Sequence, residues 1–449
     1  MQTPEVSLTP PLSYAPRYRE WGDRFLVWMG WVLLGYALLG RGFAYLGVPP
    51  LYVGEISLLF GLVALAASSG ATAVLRLPLV RVLLLFMAWG ALCTVPYVGQ
   101  YGIDALRDAV LWGYGVFAVV VAGVLVHRPD RLLGLLLRYR RFVVAVAAFG
   151  WLALALKGYA GVLPRVPGSN IPIVQAKSAD VLVHASAALA FVVLGMRRAH
   201  PVWVVLLALP LVMGNRAGML AGVVTIALAM LLAPRKGRSG VLVYAACCAL
   251  IAVALLNPTV TVGQKTVSAD LVLTKVESIF SEGDVSRYNN TREWRLEWWG
   301  AIVDYTVNGP YFWAGKGYGI NLSTDDGFKS GAGEDLRSPH NGHMTVLARS
   351  GVPGFALWLV LHLGWLGAMA GHYVRARREQ DDEWAAAFAF LLVYWLAIML
   401  IATFEVTLES PMGGIWMWTV FGVGLGAMHI HRWAPESLRP PRGQVAPPG

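Results

Sequence analysis

The stretch RSPHNGHMTVLARSGVPG, residues 337 to 354, carries five residues able to do chemistry: Arg337, His340, Asn341, His343 and Arg349. It lies where a long polar segment gives way to the apolar run FALWLVLHLGWLGAMAG. A neutral imidazole beside guanidinium groups suits one kind of reaction. The base accepts a proton from a hydroxyl nucleophile, and the guanidiniums hold an anionic leaving group through bidentate hydrogen bonds. At a bilayer rim the natural anion is a lipid diphosphate.

Further candidates lie upstream. Arg216 follows Asn215 between two apolar runs, and Arg292 and Arg295 sit in TREWRLEWWGAIVDYTV. An arginine below the bilayer surface is costly unless water or an anion reaches it, so Arg216 implies a polar cavity, or else a snorkelling side chain or a partner such as Glu405 or Glu409. For Arg292, Arg295 and Arg337 the competing reading is simple solvation on an extramembrane loop. His184 and His343 read as hydrogen-bonded structural histidines, and His340 differs because Pro339 and Asn341 restrict and orient it. Metal chemistry finds little support in the sequence. No Cys/His ligand spacing occurs, and the adjacent aspartate pairs are only Asp325-Asp326 and Asp381-Asp382. Cys93, Cys247 and Cys248 fall in apolar runs and read as small packing residues.

The elements that must position these residues are membrane helices. The chain has 449 residues, 57% of them hydrophobic and 14% charged, with a mean hydropathy of +0.58. The expected fold class is an all-α polytopic membrane protein with twelve crossings, near 25–47, 52–72, 79–97, 105–126, 142–158, 178–196, 201–214, 217–233, 239–257, 352–371, 383–404 and 411–430. The polar, proline-bearing residues before Arg24 do not read as a cleavable signal. The basic groups in HRPDRLLGLLLRYRR, MRRAH, PRKGRS and RARREQ place their loops, and both termini, in the cytoplasm. The net charge of +10 reflects that topology and contact with lipid headgroups, not nucleic acid.

The expected organisation is a cytoplasmic tail over 1–24, nine crossings over 25–257, a large periplasmic region over 258–351 with interfacial helices, three crossings over 352–430, and a proline-rich disordered tail over 431–449. Function usually lives on such a long segment. In it, TREWRLEWWGAIVDYTV reads as a helix capped at Asn290 or Thr291, with Arg292, Arg295 and Trp299 on one face and Trp294, Trp298, Ile302 and Tyr305 on the other. Its tryptophans suggest that it lies at the membrane interface. GPYFWAGKGYG should turn the chain back toward the bilayer. The runs 201–214 and 217–233 have 14 and 17 residues, roughly 21 and 25 Å of helix, so Asn215 and Arg216 should lie below the outer surface. One helix from His343 to Gly371 would be too long, at about 43 Å. A short outer helix over 341–349, broken at Ser350-Gly351, is expected instead, with His340 and Arg349 near the outer rim beside Arg216.

In order along the chain, NRAG opening a span, RLEWWGA in the long outer segment, NGPYFWAGKGYG, and PHNGHMTVLARSGVPG leading into a span resemble the O-antigen ligase and O-antigen polymerase superfamily of bacterial envelope glycosyltransferases. The resemblance runs from about residue 25 to 430. It implies metal-independent, cofactor-free transfer of a glycan from undecaprenyl diphosphate to an acceptor hydroxyl at the periplasmic face of the inner membrane. His340 falls in the base position, and Arg216 and Arg295 in the diphosphate-binding positions, with Arg292 as a helper. Asn341, Arg337, Arg349 and His184 are supporting candidates. The family pattern often has Ser where this chain has Asn215.

A ligase would pass the glycan to lipid A-core, and a polymerase to another lipid-linked unit; the single large outer segment favours the ligase. A flippase of lipid-linked glycan is the reading from another class, and it would more naturally show repeated halves. A cell-wall glycan polymerase of the shape-and-division family is a third, and its span count and loop acid are not recognised here.

Overall fold

A computed structural model describes residues 20–49, 51–197, 200–213, 215–233, 260–262, 265–267, 286–328 and 336–438; at 212–213, 216, 260–262, 265–267 and 286–292 it describes the backbone alone. The chain is an all-α polytopic membrane protein. Its main helices are α1 (Trp21–Leu39), α2 (Val53–Ala66), α3 (Pro78–Tyr101), α4 (Ile103–Gly113), α5 (Gly115–His127), α6 (Asp130–Leu156), α7 (Ser178–Val193), α8 (Pro201–Met213), α9 (Arg216–Leu232), α10 (Ser286–Val303), α11 (Gly342–Arg378), α12 (Asp382–Ala402) and α13 (Pro411–Trp433). Among the described residues the strands form two short antiparallel pairs, Gly47–Val48 with Leu51–Tyr52 and Val260–Val262 with Lys265–Val267.

Among the described residues six helices are long and apolar enough to cross a membrane, and α4 with α5, bent by 40°, makes a seventh. Four shorter apolar helices occupy the expected crossings near 52–72, 178–196, 201–214 and 217–233. The expected crossing at 239–257 lies outside the described residues, as do the tail residues 1–19 and 439–449.

Helix ends are set by local chemistry. Asp381 accepts from Trp384 N, and Ser410 accepts from Gly413 N just before Pro411 at the first helical position. Small residues bring helices together: a Cβ on Gly422 of α13 would meet the Ala118 backbone of α5 at 2.6 Å. Where α1 and α6 begin, buried Arg131 is matched by Asp23 at 2.8 Å, Glu20 at 2.6 Å and the Val124 carbonyl at 2.9 Å.

The expected break at Ser350-Gly351 is present. Gly351 has φ +65° and ψ −172° inside α11, so a short first segment meets a long second one at a kink. GPYFWAGKGYG straps that kink: Lys316 N donates to Ala348 O at 2.7 Å, Gly317 N to Arg349 O at 3.2 Å and Val352 N to Phe312 O at 2.8 Å. Only glycine serves at 315 and 317, where φ is +62° and +77° and a Cβ would collide with the α11 backbone and the Tyr97 ring respectively.

Two expectations for α10 need correction. The helix begins at Ser286, because Arg287 to Asn290 contain no breaker, and it ends in a π-helical turn over Asp304–Asn308. The Trp298 side of its apolar face packs within the protein. Trp298 is fully buried, stacks on Phe328 at 5.4 Å and donates to Asp326 Oδ2 at 2.6 Å. Aromatic rings with a polar tip find such a partner within protein as readily as at a headgroup. Asp326 and Asp325 in turn bind Lys316, which closes the outer segment on itself.

Candidate active site

His340 sits in the turn that leads into α11. Its backbone has φ +51°, a left-handed value uncommon for a residue with a side chain. The neighbours impose it: Pro339 fixes the preceding backbone, and Asn341 caps α11 by accepting from His343 N at 2.9 Å and Met344 N at 3.1 Å. Such a conformation costs on the order of 1–3 kcal/mol and persists where the surroundings over-determine it. Asn341 is thus a positioning cap rather than a ligand.

The imidazole is one quarter exposed, at 25%. Burial first, then the charges of Arg295 and Lys177, push its pKa down to about 4. At neutral pH it is therefore an uncharged base. Its Nδ1 lies 4.0 Å from Glu405 Oε2.

Two ties bring Arg295 to this corner. Trp299 Nε1 donates to Pro339 O at 3.0 Å, and Arg295 Nη1 donates to Phe404 O at 3.3 Å. Asn215, the residue before Arg216, donates through Nδ2 to Glu405 Oε1 at 3.0 Å. The backbone at the start of α9 therefore reaches the same corner. The side chains of Arg216 and Arg292 lie outside the described residues.

Three supporting candidates are engaged elsewhere. Arg349 is 1% exposed; its Nη1 donates to Gly317 O and Ile320 O, and its Nη2 makes a charge contact of 2.9 Å with Asp108. Arg337 donates to Asp108 at 3.1 Å, Asp104 at 3.4 Å and Gly319 O at 2.8 Å. Asp108, only 7% exposed, thus gathers both arginines onto α4 instead of leaving them at the rim. His184 is buried among helices, with Nδ1 2.8 Å from Tyr394 OH and its ring 4.1 Å from Trp416. His343, as expected, is structural: it meets Met399 O at 3.3 Å and accepts from Trp358 at 3.2 Å.

Sequence reasoning missed Lys177, Asp180 and the pairing of Glu405 with His340. Asp180 opens α7, is 6% exposed, and has neither carboxylate oxygen hydrogen-bonded. It feels the charges of Lys177 and Glu405. Among the described residues no three His, Cys, Asp or Glu side chains are grouped as metal ligands.

A bundle of apolar helices thus brings a neutral histidine, an arginine and the Glu405 carboxylate to one corner. Residues 201–359 match the family model described as O-antigen ligase, so this part of the chain is similar to that family. The matched segment holds Asn215, Arg216, Arg295 and His340. No curated protein matches the chain.

Proposed function

We propose that this chain transfers a glycan from undecaprenyl diphosphate to an acceptor hydroxyl at the periplasmic face of the inner membrane, as an O-antigen ligase with lipid A-core as acceptor. The observation that carries the reading is the uncharged imidazole of His340, held beside Arg295 where the outer segment returns to the bundle.

In this reading His340 accepts the proton of the acceptor hydroxyl. The freed oxygen bonds to the anomeric carbon as the bond from that carbon to the diphosphate oxygen breaks, and the electron pair leaves with the diphosphate. Attack opposite the leaving group inverts the anomeric configuration. Arg295 and Arg216, with Arg292 assisting, hold the departing diphosphate, whose charge they neutralise through planar forks. Arginine here replaces a divalent metal, so transfer should persist in excess chelator, and loss restored by magnesium would refute that part. In this reading the chain crosses twelve times with both termini cytoplasmic, so that this corner faces the periplasm.

The deciding experiment is the envelope glycan of a deletion strain. Lipid-linked polymer that accumulates unligated supports the ligase. Single-repeat caps on lipid A-core would instead assign a polymerase of the same family.

A further inference from the structure

We propose that Glu405 is the positioning carboxylate of His340, and that Asn215 holds it in place. The inference rests on the reading of His340 as the base. A carboxylate beside the ring nitrogen that does not react fixes the tautomer and stabilises the imidazolium formed during turnover.

The geometry supplies each part. His340 Nδ1 is buried and has no hydrogen-bond partner, and the atom it faces is Glu405 Oε2 at 4.0 Å. A shift of about 1 Å would convert that approach into a hydrogen bond. Nδ1–H then points at the carboxylate and leaves the lone pair on Nε2 for the hydroxyl. At 4.0 Å the carboxylate does not offset burial and the two cations at rest. Its effect belongs to the state in which His340 has taken the proton.

Asn215 fits this role. Its Oδ1 accepts from Gly218 N at 3.0 Å, capping α9, so its Nδ2 is left to donate to Glu405 Oε1, also at 3.0 Å. One amide thereby performs both jobs, and its orientation is set by the backbone N–H it must satisfy. A serine hydroxyl could accept the cap and still donate its O–H, but both bonds would fall on one oxygen held closer to the backbone. Among the described residues, the cations acting on the imidazole are Arg295 on α10 and Lys177 before α7, while Asp180 in the first turn of α7 acts on Glu405. Lys177 lies beside Asp180, and Arg295 is tied to the carbonyl of Phe404, which leaves Glu405 as the carboxylate aimed at the ring.

The test compares Glu405→Gln, Glu405→Asp, Asn215→Ser and His340→Gln, each purified and reconstituted with a lipid-diphosphate glycan donor, with retention volume checked by size exclusion. For Glu405→Gln we expect kcat to fall at least about tenfold, donor KM to stay within about twofold, and the acid limb of the kcat profile to move to lower pH, because a carboxylate that favours the imidazolium has been removed. Glu405→Asp, which keeps the charge, should restore part of both the rate and the limb. Asn215→Ser should lower kcat by less than Glu405→Gln. Where turnover is too slow to profile, NMR titration of the His340 imidazole in the donor-bound protein reads the same shift. Wild-type kcat in Glu405→Gln, or a loss with an unmoved acid limb, overturns the proposal. Should His340→Gln turn over normally, the base reading itself fails, whatever the Glu405 variants do.

Discussion

Trp299 donates its indole N–H to the carbonyl of Pro339 at 3.0 Å, which fastens the helix bearing Arg295 to the residue before His340. The two groups assigned to leaving-group binding and proton transfer come from segments about 45 residues apart in sequence. This bond is a direct link, side chain to backbone, between the two segments. It lets the outer segment carry both groups as one body.

Trp299→Phe keeps the ring and removes the donor. A neutral hydrogen bond is worth about 1 kcal/mol, so transfer should fall on the order of fivefold through misplacement of Arg295 against His340. The check is transfer rate in reconstituted membranes at matched protein level. An unchanged rate would mean that the helix is positioned by its Trp298 face alone.

Arg295→Ala should reduce transfer by more than about a hundredfold, and Arg295→Lys should recover little, since an ammonium lacks the planar fork that meets a diphosphate. Arg216→Ala should behave alike, with the protein still present in the membrane. Near-normal transfer in Arg216→Ala would return that arginine to a snorkelling role.

Arg349 should behave differently. Its contacts with Asp108 and the carbonyls of Gly317 and Ile320 hold the kink of α11 to the strap, so Arg349→Met should cost on the order of 3 kcal/mol of stability. A lowered melting temperature in detergent, with the surviving folded enzyme within about threefold of wild-type turnover, is the expected outcome. Full stability with lost transfer would instead place Arg349 in the donor site.

Much of the fold was legible because apolar runs of span length and capping residues are local signals. The break at Gly351 is one example: helix length against bilayer thickness called for it, and the left-handed glycine supplies it. His340 stood out for the same reason, flanked by Pro339 and Asn341. Partnerships between distant residues were not legible. Arg349 read as a rim arginine because nothing local announces Asp108, 241 positions earlier, and Glu405 read only as a candidate partner of Arg216 because its contacts with His340 and Asn215 come from distant segments. The tryptophans of α10 looked interfacial because a buried face and a lipid face have the same composition. Phe328 and Asp326 decide between them only once the chain is folded.

The depressed pKa of His340 gives a pH signature. With the imidazole pushed down to about 4 by burial and by Arg295 and Lys177, kcat/KM should stay flat from neutral pH well below the usual histidine range and fall only as the base protonates near that value. Protonation removes the lone pair, so activity is lost on the acid side and not on the basic side. A midpoint near 6.5, the ordinary imidazole value, would show that the ring is not shielded as described.

The central claim is that His340 takes the acceptor proton, and the transfer rate of purified His340→Ala in membranes containing donor and acceptor tests it most directly. General-base assistance is worth roughly 10²- to 10⁴-fold. We predict a rate lower by that factor, with donor binding retained through the arginines; transfer at the wild-type rate would contradict the account.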